Sequence, residues 1–437
     1  MKKIHVTILL IAFTNICKAQ TYEATSAKFM QFMQKAEFDS CQQFMDTSLT
    51  NKISTDMMKE MWGGISRFLG DYKGYSTITS TRTDTTETNL VRCEFEKTKL
   101  DLALTYNQSH KLIGLFFKPA KSSAAYVEPT YCKSSNFYES RLSVKTGTYS
   151  LPGILCIPNN IENPPVALLL AGSGPNDKDE TIGPNKPLKD IATGLATLGI
   201  ATFRYDKRTL TYSKELMKQK GKVGLNEEVI EDALSAIALL KKNPLLAKSK
   251  ITIIGHSLGA MCAPLIAKKS KGVKTIILLA GNARSLEDLL IDQFNYIYGL
   301  DSIDENEKQD LLKLEGQVKS VKSESLLKSA KSEDLPLGLD SYYWQSLNAY
   351  KQTEIAKKIK QPILILQGER DYQVTMTDFD LWKLTLGLNS KNKFISYPSL
   401  NHLFMTGKEK SNPDEYEKPN NVEEQIILDI SKWIKEH

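Results

Sequence analysis

The sequence predicts an α/β protein: a mostly parallel sheet covered by helices on both faces, with a smaller α+β domain ahead of it. Three observations carry this. Near-continuous apolar segments recur, reading PPVALLLAG, IATFRYD, ITIIGHS, TIILLAG and PILILQG. Amphipathic helical patterns such as EEVIEDALSAIALLKK separate them. Strands apolar along their whole length and divided by helices imply a parallel sheet with both sides buried. Before residue 121 the rhythm differs, with helices first and alternating, half-buried strands after them.

At the N-terminus, Lys2 and Lys3 precede the short apolar core Ile8–Phe13, and Cys17-Lys18-Ala19 places small residues where a signal peptidase checks. Residues 1–19 therefore read as a signal peptide, and the mature protein is expected to be exported, periplasmic or secreted. Ile16 is too bulky for a lipid-attachment motif at Cys17. The apolar run is too short to span a bilayer, and no later segment approaches that length, so no membrane span is expected.

Residues 20–121 read as the small α+β domain. Met58, Met61, Trp62, Ile65, Phe68 and Leu69 recur at helical spacing, and Val91, Cys93 and Phe95 alternate as in a strand with one buried face. Asn107 to His110 reads as a turn, with His110 expected as a solvated loop residue. Residues 122–137 read as a polar join and 138–437 as the larger domain. There ESRLSVKT and YSLPGILCIP form an edge hairpin, and lysine- and leucine-rich residues 285–350 form a helical insertion.

Composition narrows the function. The 437 residues are 41% hydrophobic and 25% charged, ordinary for a globular protein. A net charge of +6 is mild, and the lysines are scattered with no basic stripe among aromatics, which argues against nucleic acid as a partner. Beyond Cys17 the cysteines are Cys41, Cys93, Cys132, Cys156 and Cys262, none at metal-binding spacing. A Cys41–Cys93 bridge stays open, and Cys262 falls on the apolar side of its helix.

The chemistry centres on Gly255-His256-Ser257-Leu258-Gly259. An apolar strand precedes it and a helical pattern follows, the context of a nucleophile elbow, where Gly255 and Gly259 let backbone crowd around a strained serine. A serine nucleophile needs a base. Of the five histidines, His5 leaves with the signal, His110 lies in the other domain, His437 ends the chain, and His256 should point away from the hydroxyl. That leaves His402, in the loop SLNHLF. Asp371, at the end of PILILQGERD, is the expected carboxylate partner, with Glu369 as the fallback; the order Ser257, Asp371, His402 suits a hydrolase sheet. For the oxyanion, the Leu258 amide is the first donor. Ser173 is the second, from the turn Ala171-Gly172-Ser173-Gly174, with Gly172 and Gly174 open as alternatives.

These residues resemble the α/β-hydrolase superfamily, in its branch of serine esterases and of dienelactone-hydrolase-like and serine aminopeptidase-like enzymes. The likeness spans residues 138–434 and rests on AGSGPNDKDETIGPNKP (Ala171–Pro187), FRYDKR (Phe203–Arg208), GHSLG, GERD and NHLF. The N-terminal region is similar to an uncharacterised small domain often found ahead of such hydrolases. Ala171 is a departure, standing where a His-Gly pair often begins the oxyanion turn.

The resulting expectation is hydrolysis of a small-molecule carboxylic ester by a Ser-His-Asp acyl-enzyme route, with no metal and no organic cofactor. Two alternatives stand beside it. An aminopeptidase-like enzyme would need an acidic anchor for a free amine, for which Glu287, Asp288 and Asp292 are candidates. A catalytically inactive binding protein on the same fold is the other. The cluster Asn176, Asp177, Asp179 and Glu180 is expected to pin its loop rather than hold a cation. Tyr205, Asp206 and Arg208 are expected to buttress loops, and Tyr342–Trp344 to line the pocket or pack within the insertion. Pairing of two subunits through the N-terminal domain stays open.

Overall fold

A computed structural model of the chain describes residues 21–437 apart from 97, 121–123 and 220, so residues 1–19, read above as a signal peptide, lie outside the described residues. The chain divides into two compact units at residues 121 and 122.

In the first unit, helices Tyr22–Gln34, Phe38–Gln42, Thr47–Thr50 and Thr55–Leu69 precede strands β1 (Tyr72–Arg82), β2 (Thr86–Phe95), β3 (Lys99–Asn107) and β4 (Leu112–Pro119). The strands pair in sequence order as an antiparallel sheet. Met58 and Trp62 from the long helix meet Val91, Cys93 and Phe95 in one core, as the two periodicities require. Cys41 and Cys93 are both free thiols there, and burial pushes each up to about 12. His110 departs from expectation: its ring stacks on Tyr22 with centroids 4.0 Å apart, because a left-handed backbone (φ 58°) turns the side chain back over the first helix.

The second unit is built on strands β5 (Phe137–Thr146), β6 (Tyr149–Pro158), β7 (Val166–Leu170), β8 (Ala201–Tyr205), β9 (Ile251–His256), β10 (Val273–Leu279), β11 (Ile363–Gly368) and β12 (Lys393–Tyr397). The order across the sheet is β12-β11-β10-β9-β7-β8-β6-β5. All pairs from β12 to β8 are parallel, and the β5–β6 hairpin adds an antiparallel edge. Every residue of β7, β8, β9 and β11 is buried. Alternate side chains feed two cores: Leu168, Ile253 and Ile365 into one, Leu169, Ile254 and Leu366 into the other. The chain leaves β7 for β8 on one side and returns on the other side as β9. The carboxyl ends of β7 and β9 therefore flank a topological switch point, where open α/β sheets place their ligands.

The insertion consists of helices Leu286–Tyr298, Glu305–Lys322, Glu324–Ser329 and Ser341–Ala349 with two short helical turns between them. Trp344 is fully buried and Tyr342 is exposed, so of the three aromatics only Tyr343 reaches the cavity described below. Among the described residues no helix is long and apolar enough to cross a membrane.

Within the stretch read as a join, Tyr126 and Tyr131 are fastened to the second unit. The Tyr131 hydroxyl donates to Val422 O (2.8 Å), and that of Tyr126 to Asp190 Oδ1 (2.7 Å). Asp190 also accepts from the Val422 amide and Asn421 Nδ2. Burial nevertheless pushes its carboxyl up to about 6. A raised acid favours the folded state below its unfolded pKa, near 4, and that stability is lost as pH rises through 6. Denaturant unfolding should show wild type losing, relative to Asp190→Asn, on the order of 1–3 kcal/mol between pH 4.5 and 7.5. A pH-independent gap between the two proteins would contradict this.

Candidate active site

β9 runs straight into the helix Leu258–Lys269, and Ser257 sits at the junction with φ 51° and ψ −116°. A positive φ at a residue with a Cβ costs about 1–3 kcal/mol and persists only where surroundings enforce it. Here the Ser257 amide donates to Leu279 O and its carbonyl accepts from the Met261 amide, both at 2.9 Å. The flanking glycines make the turn sterically possible. A Cβ on Gly255 would run into the Gly259 carbonyl, and one on Gly259 into the Leu170 carbonyl at the end of β7.

Asp371 and His402 come from neighbouring loops. Gly368 ends β11, and a Cβ there would collide with the carbonyls of Leu400 and Asn401, so its bareness lets the second loop cross the strand end. The Arg370 amide bonds Leu400 O at 3.0 Å and closes that approach. His402 Nδ1 then lies 2.6 Å from Asp371 Oδ2. The carboxylate also accepts from Gln367 Nε2 (3.1 Å) and the amides of Gln373 (2.7 Å) and Val374 (3.0 Å). Asp371 is 1% exposed, so these donors replace water entirely. An ionised carboxylate only accepts, so His402 carries its proton on Nδ1 and keeps Nε2 as an acceptor. The His402 ring lies beside that of His256, the residue before the serine, with centroids 4.7 Å apart. Glu369 points elsewhere, its carboxylate holding the Ser396 hydroxyl at 2.7 Å.

His256 does face away from the cavity, and it has its own work. Its Nε2 lies 2.9 Å from His402 O, a pure acceptor, so that nitrogen bears a proton. Its Nδ1 lies 2.9 Å from Glu180 Oε1, which also accepts from the Gly172 amide at 2.6 Å. Burial disfavours the imidazolium, yet the adjacent Glu180 carboxylate and the two hydrogen bonds outweigh it and raise the His256 pKa. The pair thus links the turn after β7 to the His402 loop.

In that turn the amides of Gly172 and Gly174 are spent on Glu180 and Glu228 (3.2 Å). The Ser173 amide has no protein acceptor among the described residues, and neither has the Leu258 amide. Ser173, Ser257 and Leu258 all line one cavity of about 820 Å³ beneath the insertion. Its walls are mainly apolar, with Leu216, Leu289, Leu290, Phe294 and Leu337 prominent, and among the described residues no lysine or arginine lines it.

The acidic residues weighed as amine anchors are not among the cavity-lining residues. Asp288 pairs with Lys322, Asp292 pairs with Arg284, and Glu287 is buried away from it. The cluster near Asn176 pins its loop: Asp177 caps the Asp179 and Thr181 amides, and Asp179 pairs with Arg204 and Lys186. Asp206 bonds the Lys178 amide and Arg208 pairs with Asp232, so both buttress loops.

Sequence reasoning missed Lys207, Glu228 and the coupling role of His256. A signal existed. Glu228 and Asp232 stand one helical turn apart inside the apolar stripe Leu225, Val229, Ala233, Ala236, where carboxylates must meet cations. Their partners are the consecutive Lys207 and Arg208.

The described chain also resembles known proteins. The family described as "BAAT / Acyl-CoA thioester hydrolase C terminal" matches residues 234–404, a span holding Ser257, Asp371 and His402. "Protein of unknown function (DUF3887)" matches residues 26–115. Among solved structures, Est1E from Butyrivibrio proteoclasticus aligns over 68% of this chain and 98% of its own, at 17% identity and a TM-score of 0.44. A dienelactone hydrolase from Anabaena variabilis aligns over 69% and 99%, at 16% identity and a TM-score of 0.40. Esterase EstD of Thermotoga maritima is 31% identical over 436 residues, which is 98% of this chain and 99% of the esterase. With that likeness running from end to end, the chain belongs to the family of the esterase EstD, and its larger unit has the α/β-hydrolase fold.

Proposed function

We propose that this protein is a serine hydrolase that cleaves uncharged carboxylic esters through an acyl-enzyme. The observation that carries the reading is the buried Asp371–His402 hydrogen bond of 2.6 Å, set beside the elbow that strains Ser257. Descent from a common ancestor with EstD, itself an esterase, supports it.

His402 Nε2 takes the hydroxyl proton as Ser257 Oγ attacks the ester carbonyl. The amides of Ser173 and Leu258, without an acceptor among the described residues, receive the developing oxyanion. Asp371 stabilises the imidazolium and fixes its tautomer. The imidazolium returns the proton to the leaving alkoxide, and water, activated by the same nitrogen, then releases the acid. No step calls for a metal or organic cofactor. The mainly apolar cavity, with no lysine or arginine among its described lining residues, fits a neutral acyl chain and disfavours a carboxylate-bearing one.

A fluorophosphonate probe should label Ser257 in the wild type and fail on Ser257→Ala. With nitrophenyl esters, kcat/KM should climb by up to about fourfold per methylene from acetate until the cavity is filled, given ~0.8 kcal/mol per buried CH₂. Succinate hemiesters should be poor substrates. A folded sample that resists the probe would favour an inactive binding protein. Cleavage of aminoacyl anilides without ester turnover would favour the peptidase.

A further inference from the structure

The turn Gly172–Gly174 is gripped at every polar backbone atom except the Ser173 amide. Gly172 N–H donates to Glu180, and Gly172 O accepts from Lys207 Nζ (2.7 Å) and Asn176 Nδ2 (3.1 Å). Ser173 O accepts from Asn176 Nδ2 (2.9 Å). Gly174 N–H donates to Glu228 Oε1 (3.2 Å), and Gly174 O accepts from the Asn176 amide (3.0 Å) and Thr209 Oγ1 (3.3 Å).

Two of these grips belong to one buried ion pair. Lys207 and Glu228 are 5% and 6% exposed, and Lys207 Nζ lies 2.6 Å from Glu228 Oε1. Together they hold the turn on both sides of Ser173, by the Gly172 carbonyl and the Gly174 amide. Glu228 stands on a π-helical turn, Asn226–Ile230, which swings its carboxylate toward the cavity wall. Its other oxygen, Oε2, accepts from the Tyr343 hydroxyl at 2.6 Å. Tyr343 comes from the insertion, on helix Ser341–Ala349. Burial and the adjacent Glu228 carboxylate raise its pKa well above the ordinary tyrosine value, so it keeps its proton and donates. The insertion therefore ends in a hydrogen bond on the carboxylate that fixes the turn.

We propose that Tyr343, acting through Glu228 and Lys207, is a positioning residue for the Ser173 amide, so that the seated lid sets the second oxyanion donor. The inference rests on the reading of Ser173 as an oxyanion donor given above. Without the phenol, Glu228 Oε2 loses its only protein donor among the described residues, the carboxylate is free to rotate toward Lys207, and Gly174 is held less tightly. Loss of a whole oxyanion donor costs about 10²–10³ in kcat, and misalignment of one costs a part of that.

Tyr343→Phe removes one oxygen and keeps the ring in the cavity wall. On a neutral nitrophenyl ester, kcat should fall roughly 10- to 50-fold with KM within about twofold. A trifluoromethyl ketone, which forms an oxyanion on Ser257, should bind weaker by the same factor, while the unfolding midpoint stays within a few degrees. In a double-mutant cycle, adding Tyr343→Phe to Glu228→Gln should cost little more, since both act along one path. A packing role would instead raise KM or lower the midpoint with kcat intact, and that result, or additive losses, would overturn the proposal. Failure of the underlying reading looks different: wild type would then resist the fluorophosphonate. A wild type that labels and turns over, beside a Tyr343→Phe of equal kcat, sinks this inference alone.

Discussion

Asp371→Asn should lower kcat by about four orders of magnitude with the fold intact. The side chain's Oδ1 is held by the amides of Gln373 and Val374, so an asparagine would place its carbonyl oxygen there. Its amide nitrogen would then occupy the Oδ2 site, facing His402 Nδ1 and Gln367 Nε2. To accept from it, the imidazole must shift its proton to Nε2, the atom required as base. The nucleophile then has no proton acceptor although every heavy atom stays in place. The donor-to-donor contact with Gln367 adds about 1–3 kcal/mol of instability, well short of unfolding a domain. Steady-state kinetics with circular dichroism on the same sample tests this, and Glu369→Gln is the control expected near wild type. A loss below tenfold for Asp371→Asn would remove Asp371 from the mechanism.

The second large effect is steric. Gly255→Ala should cost more than about 4 kcal/mol and leave the larger unit largely unfolded, because its methyl would overlap the Gly259 carbonyl and the Ala260 amide nitrogen. Those are backbone atoms of the helix that starts at the nucleophile, so no rotamer change relieves the clash. Gly174→Ala is the informative contrast: its φ is +86°, but nothing lies within 4 Å of the added carbon. It should cost only about 1–2 kcal/mol, the conformational penalty alone. Urea titrations of the two variants separate the cases; equal midpoints would mean that the elbow yields more than its geometry implies.

The sheet was legible because strands buried on both faces must be largely apolar, and β7, β9, β10 and β11 are. That Asp371 and His402 would meet was legible from their places after successive strands. Which amide of the turn stays unspent was not. Gly172, Ser173 and Gly174 are equivalent locally, and only Glu180 and Glu228, the latter 54 residues from the amide it holds, distinguish them. The apolar stripe around Glu228 signals a buried partner, but that the partner is Lys207, 21 residues earlier in the chain, is decided by the tertiary fold and not by the local pattern. His110 misled for a related reason. A turn suggests solvent, yet one left-handed residue returned the ring to the protein.

The two roots of the insertion are stitched to each other. Gln352 Nε2 donates to the carbonyls of Ala283 and Arg284 at 2.9 and 3.0 Å, and Asp378 caps the amides of the same two residues at 2.9 Å. A segment whose ends are already joined places no stretching demand on its host, and lengthening it costs only the slow logarithm of loop closure. Evolution can therefore rewrite the roof while inheriting the floor, and relatives that share this chemistry are free to diverge in what they admit to it.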